Sequence, residues 1–401
     1  MKEDSYILRV KAPNLDIWKN KRPLLAHLDM ELTERCNNNC IHCYINQPVG
    51  DSKLKEKELN TEEIKAILIE AARLGCMSVR FSGGEPLLRE DFNELYVFTR
   101  KLGLKVILFT NAALITPHLA KLFYEIPLLK KIEVSVYGLT KMSYESVTQV
   151  PGSFEAAFRG INLLLENKIP FIVKSAYLPP NKKEMFDFDR WSATIKWMEA
   201  RPSYAMFFDL RCRRDLKDKN DAIKKLRVSA REGIEIISKR NANYSIEMDR
   251  FCSKFMRPPG NKLFSCGAGI RSGCVDAYGK LQLCMMLRHP DTVYDLKKGT
   301  IENALKNYFP MAREQTALNP TYLARCAKCF LKGLCNQCPA KSWMEHGSLD
   351  RPVEYHCELA HAQAKYLGFL KNGEKAWEIR DWENRLVRFS GGLHDKSKCP
   401  P

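Results

Sequence analysis

The sequence predicts an α/β protein: a partial (β/α)6 barrel of TIM type, followed by a cysteine-rich α+β domain. Three observations carry this. Six short apolar runs, each closed by turn residues, recur between residues 28 and 210. Helical patterns fill the gaps between them. After about residue 245 this alternation fades, and nine of the fifteen cysteines fall between Cys252 and Cys357. The expected divisions are an N-terminal segment 1–27, the barrel 28–245, the cysteine-rich domain 246–365, and an extension 366–401 with exposed Trp377 and Trp382.

The runs are Leu28–Leu32, Val79–Ser82, Val106–Thr110, Ile132–Val136, Phe171–Ser175 and Met206–Leu210. Their lengths and bounding turn residues suit buried strands. After the first of them, Asn60 with Glu63 three residues on reads as a capping box. Ile64, Ile67, Leu68 and Ala71 continue as one helical face, and Gly75 stops it. A second helix is expected over Phe154–Leu165. Strands alternating with helices imply parallel pairing with right-handed crossovers, and a site at the strands' C-terminal ends. Cys76, just after the first helix, reads as a small core residue.

The chain of 401 residues, 45% apolar, can fill two cores. No basic-then-apolar export signal opens it, so its thiols point to a reducing cytoplasm and to metal. No apolar run approaches the roughly 20 residues that span a bilayer, which argues against a membrane protein. The net charge of +17 attracts acidic ligands without choosing among them. The densest basic stretch, Arg211 to Arg231, has few aromatics for base stacking and reads as a solvated helix face rather than a nucleic-acid surface.

Cys36-Asn37-Asn38-Asn39-Cys40-Ile41-His42-Cys43 follows the first strand directly. Soft thiolates suit iron–sulfur clusters or zinc. Three cysteines with no local fourth leave one metal corner open, whereas structural zinc normally takes four protein ligands; a zinc knuckle completed by His42 or a distant residue is the alternative. The Cys-x3-Cys-x2-Cys spacing resembles the radical S-adenosylmethionine superfamily. That resemblance implies a [4Fe-4S] cluster on Cys36, Cys40 and Cys43, with S-adenosylmethionine at the open iron. It further implies reductive cleavage to methionine and a 5′-deoxyadenosyl radical, driven by an external flavodoxin- or ferredoxin-type reductant. His42 matches a position, usually aromatic, beside the adenine.

Gly83-Gly84-Glu85-Pro86 ends the second strand and resembles the family's Gly-Gly-Glu-Pro motif. The glycines would let the backbone approach the cofactor, and Glu85 would receive its ammonium. Thr110-Asn111, Ser135 with Tyr137 and Gly138, and Lys174-Ser175 end the next three strands, all on one rim. The resemblance implies cofactor contacts for Asn111, Ser135 and Ser175, though each serine could instead satisfy a strand end. Asp209 and Arg211, on the sixth, could bind a ligand or form a buried ion pair.

Cys266-Gly267-Ala268-Gly269 and the segment from Asp276 to Cys284 read as a turn and a hairpin bent at Tyr278-Gly279. Cys326-x2-Cys329-x5-Cys335-x2-Cys338, with Cys357 beyond, would by itself suggest zinc ribbons. Together they resemble the SPASM extension of radical S-adenosylmethionine enzymes, which carries up to two auxiliary [4Fe-4S] clusters. Carried over by position, the first cluster takes Cys266, Cys284 and Cys338, with Cys274 or Cys252 as the fourth ligand unless that iron stays open. The second takes Cys326, Cys329, Cys335 and Cys357. Cys212 and Cys399 have no assigned role.

Auxiliary clusters imply that a substrate electron is removed, so the expected chemistry is oxidative modification of an acidic or leader-bearing peptide or a protein side chain. The 27 residues before the first strand are too few for a peptide-recognition module, so a separate recognition protein is expected. Met285, where sulfatase-maturing members carry an acidic residue, argues against that activity. The alternative substrate is a carboxylated small molecule such as a tetrapyrrole.

Overall fold

The computed structural model describes residues 23–240, 244–256 and 258–387. Its centre is a parallel sheet of six strands: β1 (His27–Thr33), β2 (Ser78–Gly83), β3 (Lys105–Thr110), β4 (Leu129–Ser135), β5 (Phe171–Ala176) and β6 (Tyr204–Ala205). Each pairs in parallel with the next. Five of the six expected strands coincide with these elements to within three residues at either end. The sixth differs: pairing stops at Ala205, and Phe207, Phe208 and Asp209 turn to line a cavity instead.

Helix α1 (Thr61–Arg73) starts as its local code requires, with Asn60 accepting from the Glu63 amide at 3.0 Å and the Glu63 carboxylate receiving the Asn60 amide at 2.8 Å. Ile64, Ile67, Leu68 and Ala71 are its buried face, and Gly75 follows at φ +83°. Helix α2 (Ser153–Glu166) covers the second expected helix and packs Gly160 against the Ala112 carbonyl, where a Cβ would come within 2.0 Å. Cys76 is buried in the main core, its thiol donating to the Ser78 carbonyl.

The cysteine-rich region adds to the barrel's own sheet. Helix α3 (Tyr244–Phe255) runs across residue 245. Strand β7 (Ser272–Val275) pairs in parallel with β1, and β8 (Lys280–Gln282) and β9 (Val293–Asp295) extend it antiparallel. Gly279 sits at φ +83° in the hairpin turn, where the Asp276 carboxylate accepts from the amides of Tyr278 and Lys280. One apolar core therefore contains both Leu28 and Phe81 of the barrel and Leu281, Phe309 and Ala340 beyond it.

Several expectations about the surface are corrected. Arg211 is fully buried and paired with Asp215, Arg213 binds Glu34, and Arg227 binds Glu345, so this stretch is not simply a solvated face. Trp377 and Trp382 are half-buried rather than exposed, and Trp382 packs on a satellite core formed by Phe330, Leu331, Leu370 and Ala376. Cys399 lies outside the described residues. Among the described residues, no helix is long and apolar enough to cross a membrane.

Candidate active site

The C-terminal ends of the parallel strands converge on a cavity of about 340 Å3, within the size range of small-molecule sites, roughly 300–1,000 Å3. Cys36, Cys40 and Cys43 line it together with His42, Gly83, Gly84, Asn111, Ser135 and Ser175. Parallel strands place their C-terminal residues on one rim, so motifs far apart in sequence meet there.

The cysteine loop is held from several sides. The Asn39 and Ile41 amides donate to the Thr148 and Val147 carbonyls at 2.9 and 3.0 Å. The Gly84 and Glu85 amides donate to the carbonyls of Thr33 and Arg35 at 2.7 and 2.9 Å. This changes the role of the paired glycines. A Cβ on Gly83 would sit 2.0 Å from the Thr33 oxygen, and one on Gly84 2.2 Å from that of Arg35. The close approach is thus to the loop that carries the thiols, in addition to the cavity that both glycines line.

Glu85 and Pro86 do not line the cavity. Glu85 is fully buried, accepting from Thr110 Oγ1 at 2.9 Å, the Asn111 amide at 2.8 Å and the Leu87 amide at 3.1 Å. Its carboxyl fixes the end of β3, aiming Asn111. Burial pushes its pKa up to about 7 against the lowering effect of those three donors.

Sequence reasoning missed a clamp on the far side. Arg211 donates to the Asn46 side chain and carbonyl at 3.3 and 3.2 Å, and Lys219 donates to Asn46 and Asn39 at 2.8 and 3.2 Å. Lys174, which with Ser175 ends the fifth expected strand, lines the cavity with its ammonium 3.2 Å from the centre of the Phe109 ring and 3.5 Å from Glu133. Burial lowers its pKa to about 8 in spite of Glu133. Asp209 pairs with Lys341 at 3.0 Å, making it an ion-pair residue on the cavity wall.

The donor set fits an iron–sulfur cluster with a polar ligand. Burial, followed by the Glu85 charge, holds the Cys36 thiol far above its usual range; burial, then Cys43 and Cys36, does the same for Cys40. Thiols so placed become thiolates when a metal centre takes up the charge. Amides already point at the sulfurs: Asn38 N to Cys36 and Asn46 N to Cys43, both at 3.4 Å. Both polar atoms of the Asn38 side chain and Nδ1 of His42 are buried without a partner beside the cavity. Burial, then Lys219, lowers the His42 pKa to about 4, so the ring is neutral. It meets Tyr137 edge-on at 5.1 Å. Among the described residues, no three His, Cys, Asp or Glu side chains converge tightly enough for a single metal ion.

Residues 30–190 match the radical SAM superfamily. The barrel is a radical SAM domain. Its curated relatives include the Fe-coproporphyrin III synthase of Methanosarcina barkeri, 35% identical over 39% of this chain and 37% of that protein. The AdoMet-dependent heme synthase of the same organism is 31% identical over 45% and 47%. The chain thus spans less than half the length of these two relatives. A probable GTP 3',8-cyclase of Saccharolobus islandicus is 26% identical over 69% of this chain and 86% of that protein. In fold, the chain is similar to Streptococcus suis SuiB bound to S-adenosylmethionine, with TM-score 0.60, 14% identity, and coverage of 85% and 79%. It is also similar to anSMEcpe with bound AdoMet, with TM-score 0.56, 16% identity, and coverage of 93% and 97%. A radical SAM enzyme holds a [4Fe-4S] cluster and S-adenosylmethionine, and the three thiols on the rim are the residues suited to that cluster.

Outside the radical SAM cavity, Cys326, Cys329, Cys335 and Cys357 line a second, narrower cavity of about 50 Å3. Burial pushes Cys326 up to about 11 and Cys329 to about 12, and the Cys357 thiol adds to both. Burial pushes Cys284 up to about 11, and the Cys338 and Cys266 thiols add to it. Cys274 lies on β7 opposite Asp29 and is fully buried. Cys252 belongs to the satellite core with Phe330 and Leu331.

Proposed function

We propose that this radical SAM enzyme couples cofactor cleavage to a two-electron oxidation of a peptide or protein side chain, using auxiliary iron–sulfur clusters of the SPASM type. The observation that carries the oxidative reading is the gathering of Cys326, Cys329, Cys335 and Cys357 around one cavity. The bound groups supply a 5′-deoxyadenosyl radical that abstracts hydrogen. The chain's own residues anchor the thiols, exclude water with Tyr137, Phe207 and Phe208, and present Lys174 and Ser175 to whatever enters. The peptide reading is supported by likeness in fold to anSMEcpe bound to a Cp18Cys peptide, with TM-score 0.56 over 92% of this chain. An external one-electron reductant, a separate peptide-recognition protein and a cytoplasmic setting belong to the same proposal.

A second reading, oxidative tailoring of a carboxylated tetrapyrrole, is favoured by the two Methanosarcina relatives and by the cationic Lys174 on the cavity wall. Mass spectrometry after anaerobic turnover separates the two. A precursor peptide losing two mass units or being crosslinked supports the first, whereas loss of carboxyl groups from an iron porphyrin replaces it with the second.

A further inference from the structure

The segment from Phe369 to Val387 packs on the satellite core and puts Trp377 on the wall of the second cysteine cavity. Leu370 and Ala376 of this segment are buried, and Trp382 stacks on Phe330 with ring planes 14° apart. Arg385 ties its two ends together, donating to Glu374 at 2.5 and 2.9 Å and to the Phe369 carbonyl at 3.2 Å. One residue joins cap to cavity. The Ala376 amide donates to His361 Nε2 at 3.1 Å. An amide only donates, so Nε2 carries no proton and the neutral ring holds its hydrogen on Nδ1. Nδ1 faces Cys357, 2.8 Å from its carbonyl and 3.6 Å from its sulfur. Arg325 adds a second donor to that sulfur at 3.5 Å and packs over Trp377, which in turn meets the His361 ring at 5.2 Å.

We propose that residues 369–387, through Trp377 and the Ala376 amide, cap an auxiliary iron–sulfur site and that His361, its tautomer fixed by the Ala376 amide, is a positioning residue that hydrogen-bonds Cys357 and raises the site's reduction potential. This rests on the auxiliary-cluster reading above. A donor to a ligating sulfur stabilises the reduced cluster, which carries one more negative charge. The cap thereby links the order of the C-terminal segment to the one-electron couple of a cluster remote from the radical SAM cavity.

The test is an EPR-monitored redox titration of the reconstituted full-length protein. His361→Phe keeps the ring and removes the donor, and it is expected to move one cluster's midpoint to more negative potential while leaving the others in place. His361→Asn, which keeps an N–H, is expected to restore it. If His361→Phe does not assemble the site, Ala376→Pro, which deletes the cap's N–H and leaves His361 in place, is expected to give the same direction of shift. Unchanged midpoints with full iron content overturn the role of His361. If Cys329→Ala loses no iron relative to the parent protein, the auxiliary-cluster reading itself fails, and that outcome is separate from the first.

Discussion

Burial surrounds the Glu85 carboxyl with three neutral donors and no cation, and its pKa rises from 4.5 to about 7. The unfolded group ionises near 4.5, so its contribution to stability is whole below that pH and is lost as pH rises through about 7. The loss is on the order of 3 kcal/mol. Glu85→Gln should therefore flatten the dependence of stability on pH between about 5 and 7.5, as read by urea unfolding of the metal-free protein. Parallel curves for the two proteins would show that Glu85 ionises normally. Gly84→Ala sets a Cβ 2.2 Å from a backbone oxygen that has no side chain to yield. It should cost about 1–3 kcal/mol and lower iron retention at the first site. The sequence announced both residues as a motif but not what each touches. Their partners, Arg35 O and the donors at Thr110 and Asn111, come from other strands.

At the scale of elements, local codes were legible and pairing partners were not. The Asn60–Glu63 box fixes where α1 begins, whatever surrounds it. Asn60→Ala should lower stability by about 1 kcal/mol without changing the fold or cofactor cleavage, checked by chemical denaturation beside an activity assay. The sixth strand was legible as an apolar run, yet Phe207 and Phe208 line the cavity instead of joining the ladder, Phe208 meeting the His42 ring there. The hairpin at Gly279 was also legible. That its first strand would pair with β1 was not, since register across 240 residues is set by tertiary packing. The ion-pair cluster of Glu31 and Glu34 with Arg288 and Arg213, at 2.6–2.7 Å, fastens that hairpin to the start of the cysteine loop.

For the whole molecule, two cysteine sets, Cys36, Cys40 and Cys43 and then Cys326, Cys329, Cys335 and Cys357, each line a cavity. Reconstituted protein should hold on the order of twelve irons if all three sites carry [4Fe-4S] clusters. Cys329→Ala should lose about four of them, spare cofactor cleavage and abolish substrate conversion, as read by iron assay and product analysis. Because the cysteine-rich region shares a core with the barrel, chelation should destabilise the satellite core around Phe330 before the parallel sheet, which hydrogen exchange would resolve.

The central claim is that Cys36, Cys40 and Cys43 hold the cluster that cleaves S-adenosylmethionine. It is tested most directly by 5′-deoxyadenosine release from anaerobically reconstituted, chemically reduced protein. The parent protein is predicted to release it and Cys40→Ala to fall to background while staying folded; cleavage by Cys40→Ala at the parent rate would contradict the account.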